Sequence, residues 1–384
     1  MKTIVIILTL LHSLLSFAEN PLKGMIERSI AMQPKQTQDG YYQKLQWKDE
    51  LAEYLVESKD ADISLLGYQF ILPNYFDLVS ISRFAEKHSI NAVVNDINKM
   101  VKNDQLSPYG LSIALSVCHK YIKNNPSVSC DNKMIFQKQK DLSPRNAFNY
   151  IYPIHRAVEE KDEEQIHYLL EEMAQSSYVE IFYYTPEKLG NLIDDYYLTH
   201  PFGEEYLNYE KNALIKEGGL SDEAKERILS EFEEYGLLLE KINFELSIEL
   251  PPFRAITDTC KSEKKFSEVC LNISNLFIKD KNIITRLLGY VIKIYILKNS
   301  DNKKAYLLAD KAYKKFRAQY ECIGKINTNA NGFEYLNFES YKIFSSTQRE
   351  KGSWAFFINQ TQYFYKKAIE NGNTDLKNPE ECFK

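Results

Sequence analysis

Apolar residues recur at helical spacing along most of the chain, and the strict alternation of a strand is scarce. The clearest stripe runs from Ser221 to Leu246 through Ala224, Ile228, Phe232, Tyr235, Leu239, Ile242 and Leu246, in steps of three and four that keep to one helix face. Gly218-Gly219 precede it, Ser221 can cap it, Asp222 and Glu223 suit the positive end of the helix dipole, and Pro251-Pro252 close the segment. The pattern predicts one continuous helix there.

Other helices announce themselves by their ends. Ser107-Pro108 and Ser143-Pro144 each place a capping hydroxyl before a proline suited to the first helical position, which predicts helices towards Asn124 and towards Glu160. Lys161-Asp162 breaks the second. A partner follows over Asp162–Gln175 with Ile166, Leu169, Leu170 and Met173 inward, making a helical hairpin over 143–176. Further helices are predicted at 20–32, 44–58, 75–87, 186–198, 204–216, 264–279, 282–298, 302–318 and 353–371, the one at 282–298 central because it is apolar nearly all round. Gly324–Ser346 is left open: Asn and Gly cluster at 327–332, and the aromatic run after them reads as strand or helix. The expected fold class is all-α, with helical hairpins forming an α-solenoid or an irregular helical array stapled by disulfides.

The first eighteen residues read differently. Lys2 gives a short positive start, Ile4–Leu15 is an apolar run, and Ser16-Phe17-Ala18 ends in small residues at the positions a signal peptidase reads, so cleavage is expected after Ala18. The run is shorter than the roughly 20 residues that span a bilayer. Ile63–Ile81 and Ile283–Leu297 are interrupted by polar residues or too short, so no membrane span is expected in the mature chain. The expected layout is a signal peptide over 1–18, an N-terminal and central helical region over 19–250, and a C-terminal helical region over 251–384. The expected location is periplasmic or secreted.

Export gives the six cysteines a meaning, because an even count in an oxidising compartment argues for disulfides. Loop-closure entropy favours the short loops Cys118–Cys130 and Cys260–Cys270, which leaves Cys322–Cys382. In the chain-entropy account the short loops contribute about 3 kcal/mol each and the long one about 4 kcal/mol.

The formal charge is −5, which disfavours nucleic acid as a partner. Its distribution is uneven. From Tyr150 to Leu250 there are 24 acidic against 8 basic residues, and from Cys260 to Lys325 there are 15 basic against 6 acidic. Two accounts are open: solvated or mutually packed helix faces, or an electronegative surface, with Glu159, Glu160, Glu163 and Glu164 at its centre, that meets a partner with a basic contact face. Tyr178, Phe182, Tyr183, Tyr184, Tyr196, Tyr197, Phe202, Tyr206 and Tyr209 crowd into the same acidic zone, either filling helix–helix contacts or lining a groove.

Motifs for chemistry are sparse. Glu164-Gln165-Ile166-His167 has Glu-x-x-His spacing without the second copy that a di-iron bundle needs. His155, Glu159, Glu163 and His167 lie four apart across the break at Lys161-Asp162. Ser262-x-x-Lys265 and Ser300-Asp301-Asn302 match two thirds of a penicillin-binding signature, and the Lys-Thr-Gly third is missing. The acidic pairs Glu159/Glu160, Asp194/Asp195 and Glu204/Glu205 point apart on a helix. No catalytic, cofactor or metal residue is assigned. The leading expectation is a non-enzymatic exported scaffold for protein–protein contact, and the alternative is a carboxylate-dependent hydrolase acting on glycans or peptides.

Two resemblances bear on this. Tyr363-Phe364-Tyr365-Lys366-Lys367-Ala368-Ile369 is similar to the second helix of a tetratricopeptide-related repeat. The order of signal peptide, hairpins such as Asn146–Tyr178, Cys260 and Cys270, then Ile284-Thr285-Arg286-Leu287-Leu288-Gly289 resembles a group of uncharacterised exported α-helical proteins of Gram-negative bacteria. That resemblance implies a helical fold and export, and no activity.

Overall fold

The computed structural model describes residues 35–71, 88–124, 129–181, 187–216, 222–246, 251–330, 335 and 337–384. The signal segment 1–18 and the helices expected at 20–32 and 75–87 lie outside these. In chain order the helices are α1 (Lys35–Val56), α2 (Ala61–Ile71), α3 (Ile90–Lys102), α4 (Pro108–Asn124), α5 (Asn132–Leu142), α6 (Ile151–Glu160), α7 (Glu163–Ala174) and α8 (Glu187–Thr199). They continue as α9 (Glu204–Lys216), α10 (Asp222–Ser230), α11 (Phe232–Leu246), α12 (Phe253–Ser262), α13 (Ser267–Ile278), α14 (Ile283–Lys298), α15 (Lys303–Asn329) and α16 (Phe338–Glu370). Among the described residues the fold is all-α; the one extended feature is an isolated bridge between Asn146 and Tyr178.

The chain divides into two compact units, 1–134 with 185–249, and 135–184 with 250–384. Sequence reading keeps 135–184 with the N-terminal region. The structure groups it with the C-terminal one, because the inward residues of α6 and α7 share a single core with those of α12, α13 and α14.

In the first unit α1 lies against α2 and α9, and α2 against α4. Leu51, Leu55, Ile63, Leu65 and Leu66 are fully buried there, each such side chain contributing about 1.5–3 kcal/mol relative to exposure. Ser107 caps α4 as its sequence predicts, accepting hydrogen bonds from Tyr109 N and Gly110 N. Cys118 and Cys130 are bonded, with Cα atoms 5.9 Å apart. The stripe at 221–246 is two helices and not one: the chain breaks at Glu231, yet Ile228, Phe232 and Tyr235 still share one buried cluster.

In the second unit Ser143-Pro144 does not start a helix. The Ser143 hydroxyl donates back to Gln139 O at the end of α5, and Arg145 takes a left-handed conformation (φ 63°). Asn146 supplies the cap, accepting from Phe148 N and Glu180 N, and a short 3-10 turn (Ala147–Tyr150) leads into α6. The α6–α7 break falls at Lys161 (φ 56°), and Asp162 caps α7 by accepting from Gln165 N. Ile166, Leu169, Leu170 and Met173 all point inward.

The packing order is α7 on α13, α13 on α14, α14 on α15, and α15 on α16. A Cβ on Gly289 of α14 would sit 2.8 Å from Phe277 Cβ and Ser274 O, so this glycine lets α13 and α14 approach closely. Cys260–Cys270 and Cys322–Cys382 are bonded, each with Cα atoms 5.7 Å apart. The stretch 324–346, open in the sequence, is helical at both ends. α15 continues to Asn329, eleven residues beyond the expected 318, and α16 starts at Phe338 under an Asn337–Ser340 capping box. Gly352 (φ 81°) interrupts α16, so its second half begins at Ser353 as expected.

Candidate functional site

Two residues of non-helical chain separate α6 from α7, so the end of one helix and the start of the next share a corner. Glu159 and Glu160 end α6; Glu163 and Glu164 open α7. The second pair sits where the helix dipole favours negative charge, and the first pair where it does not. The Arg156 guanidinium offsets part of that cost, its Nε donating to Glu160 at 2.7 Å, and His155 Nε2 lies 3.8 Å from Glu159. Side-chain exposures are 36% for Glu159, 55% for Glu160 and 75% for Glu163. Glu164 is exposed too, and Tyr168 and Glu171 extend the outward face of α7 by one and two turns.

One acid of the four is tied inward. Glu163 pairs with Lys265 in the turn between α12 and α13, and that contact raises the Lys265 ammonium above its ordinary range. Among the described residues the acidic zone therefore meets the basic segment 260–325 within this unit at one exposed ion pair, while the apolar core carries the contact of α7 with α13. Glu160 and Glu164 are exposed, Glu160 against Arg156, and Glu159 is less so beside His155.

The aromatic crowding resolves largely into packing. Tyr196, Phe202 and Tyr206 are buried, and the Trp47 ring of α1 lies 5.5 Å from Tyr196 and 4.7 Å from Phe202. Trp47 Nε1 donates to His200 O at 2.8 Å. Tyr197 reaches Glu233, and burial with that nearby carboxylate pushes its hydroxyl up to about 12. Tyr168 and Tyr178 are exposed. Phe182, Tyr183 and Tyr184 lie outside the described residues.

The remaining motifs also acquire structural roles. The break at Lys161 puts His155 and Glu159 on one helix and His167 and Glu171 on the next, as separate i,i+4 pairs. Asn302 of the Ser-Asp-Asn motif caps α15, accepting from Ala305 N, and Ser300 Oγ accepts from Asn302 N. A lysine that activates a serine needs a depressed pKa; Lys265 is shifted the other way. Asp194 pairs with Lys241, and Glu205 accepts from Gln43 Nε2 at 2.8 Å.

Sequence reading misses the most deeply buried acid among the described residues. Glu240 of α11 is 1% exposed, yet it lies 3.1 Å from Lys48 and 3.5 Å from Lys44, both of α1, and accepts from the Tyr206 hydroxyl of α9 at 2.7 Å. Burial alone would raise its carboxyl; the two ammonium groups and the phenol outweigh that and hold it below the ordinary carboxylate range. Lys44 is raised, because Glu240 and Glu210 outweigh its own desolvation. No local pattern in the sequence signals a contact between helices almost two hundred residues apart.

A groove of about 360 Å³ opens where α14 turns into α15, lined by Leu297, Lys298, Ser300, Lys303, Tyr306 and Leu307. It is open to solvent, and its lining holds no carboxylate. No protein-family model, no curated protein and no solved structure matches this chain.

Proposed function

We propose that this chain is an exported helical docking protein, which holds a partner with a basic contact face at the α6–α7 corner. One observation carries the reading: Glu159, Glu160, Glu163, Glu164 and Tyr168 are exposed at or next to a two-helix corner whose inward residues belong to the core. A rigid backbone under an exposed charged face suits recognition, since little ordering cost is then added on binding. Export is supported by three disulfides within the chain and by the signal-like start of the sequence; among the described residues no helix is long and apolar enough to cross a membrane.

The test changes Glu159, Glu160, Glu163 and Glu164 together to Gln. Envelope proteins captured by the wild-type chain are compared for association rate against both forms. Removal of four charges from an electrostatically steered contact lowers the rate by about tenfold or more at low salt. The fold should survive, because the internal pairs lost, Glu163–Lys265 and Glu160–Arg156, are exposed and contribute little to stability. Unchanged rates with an unchanged melting temperature overturn the reading.

A further inference from the structure

The second unit carries another face of opposite sign. On α15, Lys303, Lys304, Lys311, Lys314, Lys315 and Arg317 are exposed, against Asp310 as the one acid among 303–317. Lys314 is engaged with Asp310 and Arg317 with Glu321, so Lys303, Lys304, Lys311 and Lys315 dominate the outward charge. In their midst Leu307 and Leu308 stand 63% and 62% exposed, on a helix that otherwise buries Ala309, Phe316, Ile323 and Ile326. Single exposed leucines are common, but two adjacent ones inside a cationic helix face, beside an open groove with Leu297, Tyr306 and Leu307 on its walls, form a docking surface that wants an acidic partner with apolar anchors.

The same unit presents that chemistry on α7: Glu164 and Glu171, with Tyr168 half exposed between them. The helix faces match in kind, each having charges at helical spacing around exposed apolar or aromatic side chains. They lie on different helices of one compact unit, with α13 and α14 between them in packing order. We infer that the occupant of the basic α15 face is a second copy of this chain, docking by its acidic α6–α7 face. The inference rests on the reading of that corner as a docking site, and names its partner. A contact between two different faces leaves one of each free on a pair, so the association continues into a ring or a chain of copies. Single helix faces fall short of the roughly 800 Å² per partner of a standard interface, so the association is weak and salt-sensitive.

The test uses the full mature chain in analytical ultracentrifugation, over about 5 to 300 µM, at low salt and at about 0.5 M salt, where screening shortens to a few Å. Two variants accompany it: an acidic-face variant, Glu164→Lys with Glu171→Lys, and a basic-face variant, Lys304→Glu with Lys311→Glu. Melting curves confirm that both fold. The wild type should show a mass that rises with concentration at low salt, with association weakened at least tenfold at high salt. Each variant alone should lose that rise, since the face reversed on every copy has no counterpart. An equimolar mixture of the two variants should recover association, because each supplies the intact face that the other lacks. A wild type that stays monomeric throughout, or a mixture that does not associate, overturns the inference. Association that survives both reversals overturns it too, as does a monomer that instead sediments with phosphatidylglycerol vesicles through α15. A monomeric wild type whose captured basic partner still depends on Glu159–Glu164 would sink the self-docking alone and leave the proposed function standing.

Discussion

Lys48 Nζ lies 3.1 Å from the Glu240 carboxylate, at a point where Glu240 is 1% exposed and Lys48 is 22% exposed. The pair ties α1 to α11, and Lys44, one turn earlier on α1, reaches the same carboxylate. A carboxylate so deeply placed is tolerated because its charge is compensated twice and hydrogen-bonded once.

Glu240→Gln should therefore destabilise the fold. Removal of one partner from a fully buried pair costs about 3–5 kcal/mol, and here about 2–3 kcal/mol is expected because both lysines retain some access to water. The pH dependence has a definite sign. The folded carboxyl is held below its unfolded value, so its contribution is complete above the unfolded pKa of about 4.3 and is lost as pH falls through the folded one. Urea unfolding of the wild type should thus weaken on acidification below about pH 5, and the Gln variant should show a shallower dependence. An equal slope in both proteins would place the acid sensitivity elsewhere.

The three disulfides should contribute unequally. Cys322–Cys382 closes a separation of 60 residues, against 12 for Cys118–Cys130 and 10 for Cys260–Cys270. Paired replacement by alanine should cost about 4 kcal/mol for the long bridge and about 3 kcal/mol for each short one. Denaturant midpoints of the three double variants measure the order, and a long bridge that costs least would refute the unfolded-chain account of it.

Gly352 should resist substitution more than Gly372. Both have positive φ, but a Cβ on Gly352 would meet Lys281 O at 2.8 Å, whereas one on Gly372 meets nothing within 4 Å. Backbone strain costs an alanine about 1–2 kcal/mol at either site, and the clash adds to that at Gly352. Around the same kink, Trp354 N donates to Lys281 O and Ser353 N to Asn282 Oδ1, so the loss should reach the seat of α14. Thermal melts of Gly352→Ala and Gly372→Ala decide it, and equal losses would show that the contact with Lys281 relaxes freely.

How much of this was legible beforehand follows from the range of each interaction. Helices with a cap and an unbroken stripe were readable, as in α4 under Ser107 and α7 under Asp162, because capping and periodicity act within a few residues. The same locality misled at Ser143, whose hydroxyl serves the helix behind it, and at 221–246, where one stripe spans two helices. The disulfide pairing was readable because loop closure depends on separation along the chain. Tertiary structure alone decided that 135–184 joins the C-terminal unit, that Glu240 meets Lys44 and Lys48, and that Tyr196 and Tyr206 are buried while Tyr168 is exposed. Those outcomes depend on which apolar faces find each other across long separations. A hydrophobic stripe says that a face will be covered but, being non-directional, not by what.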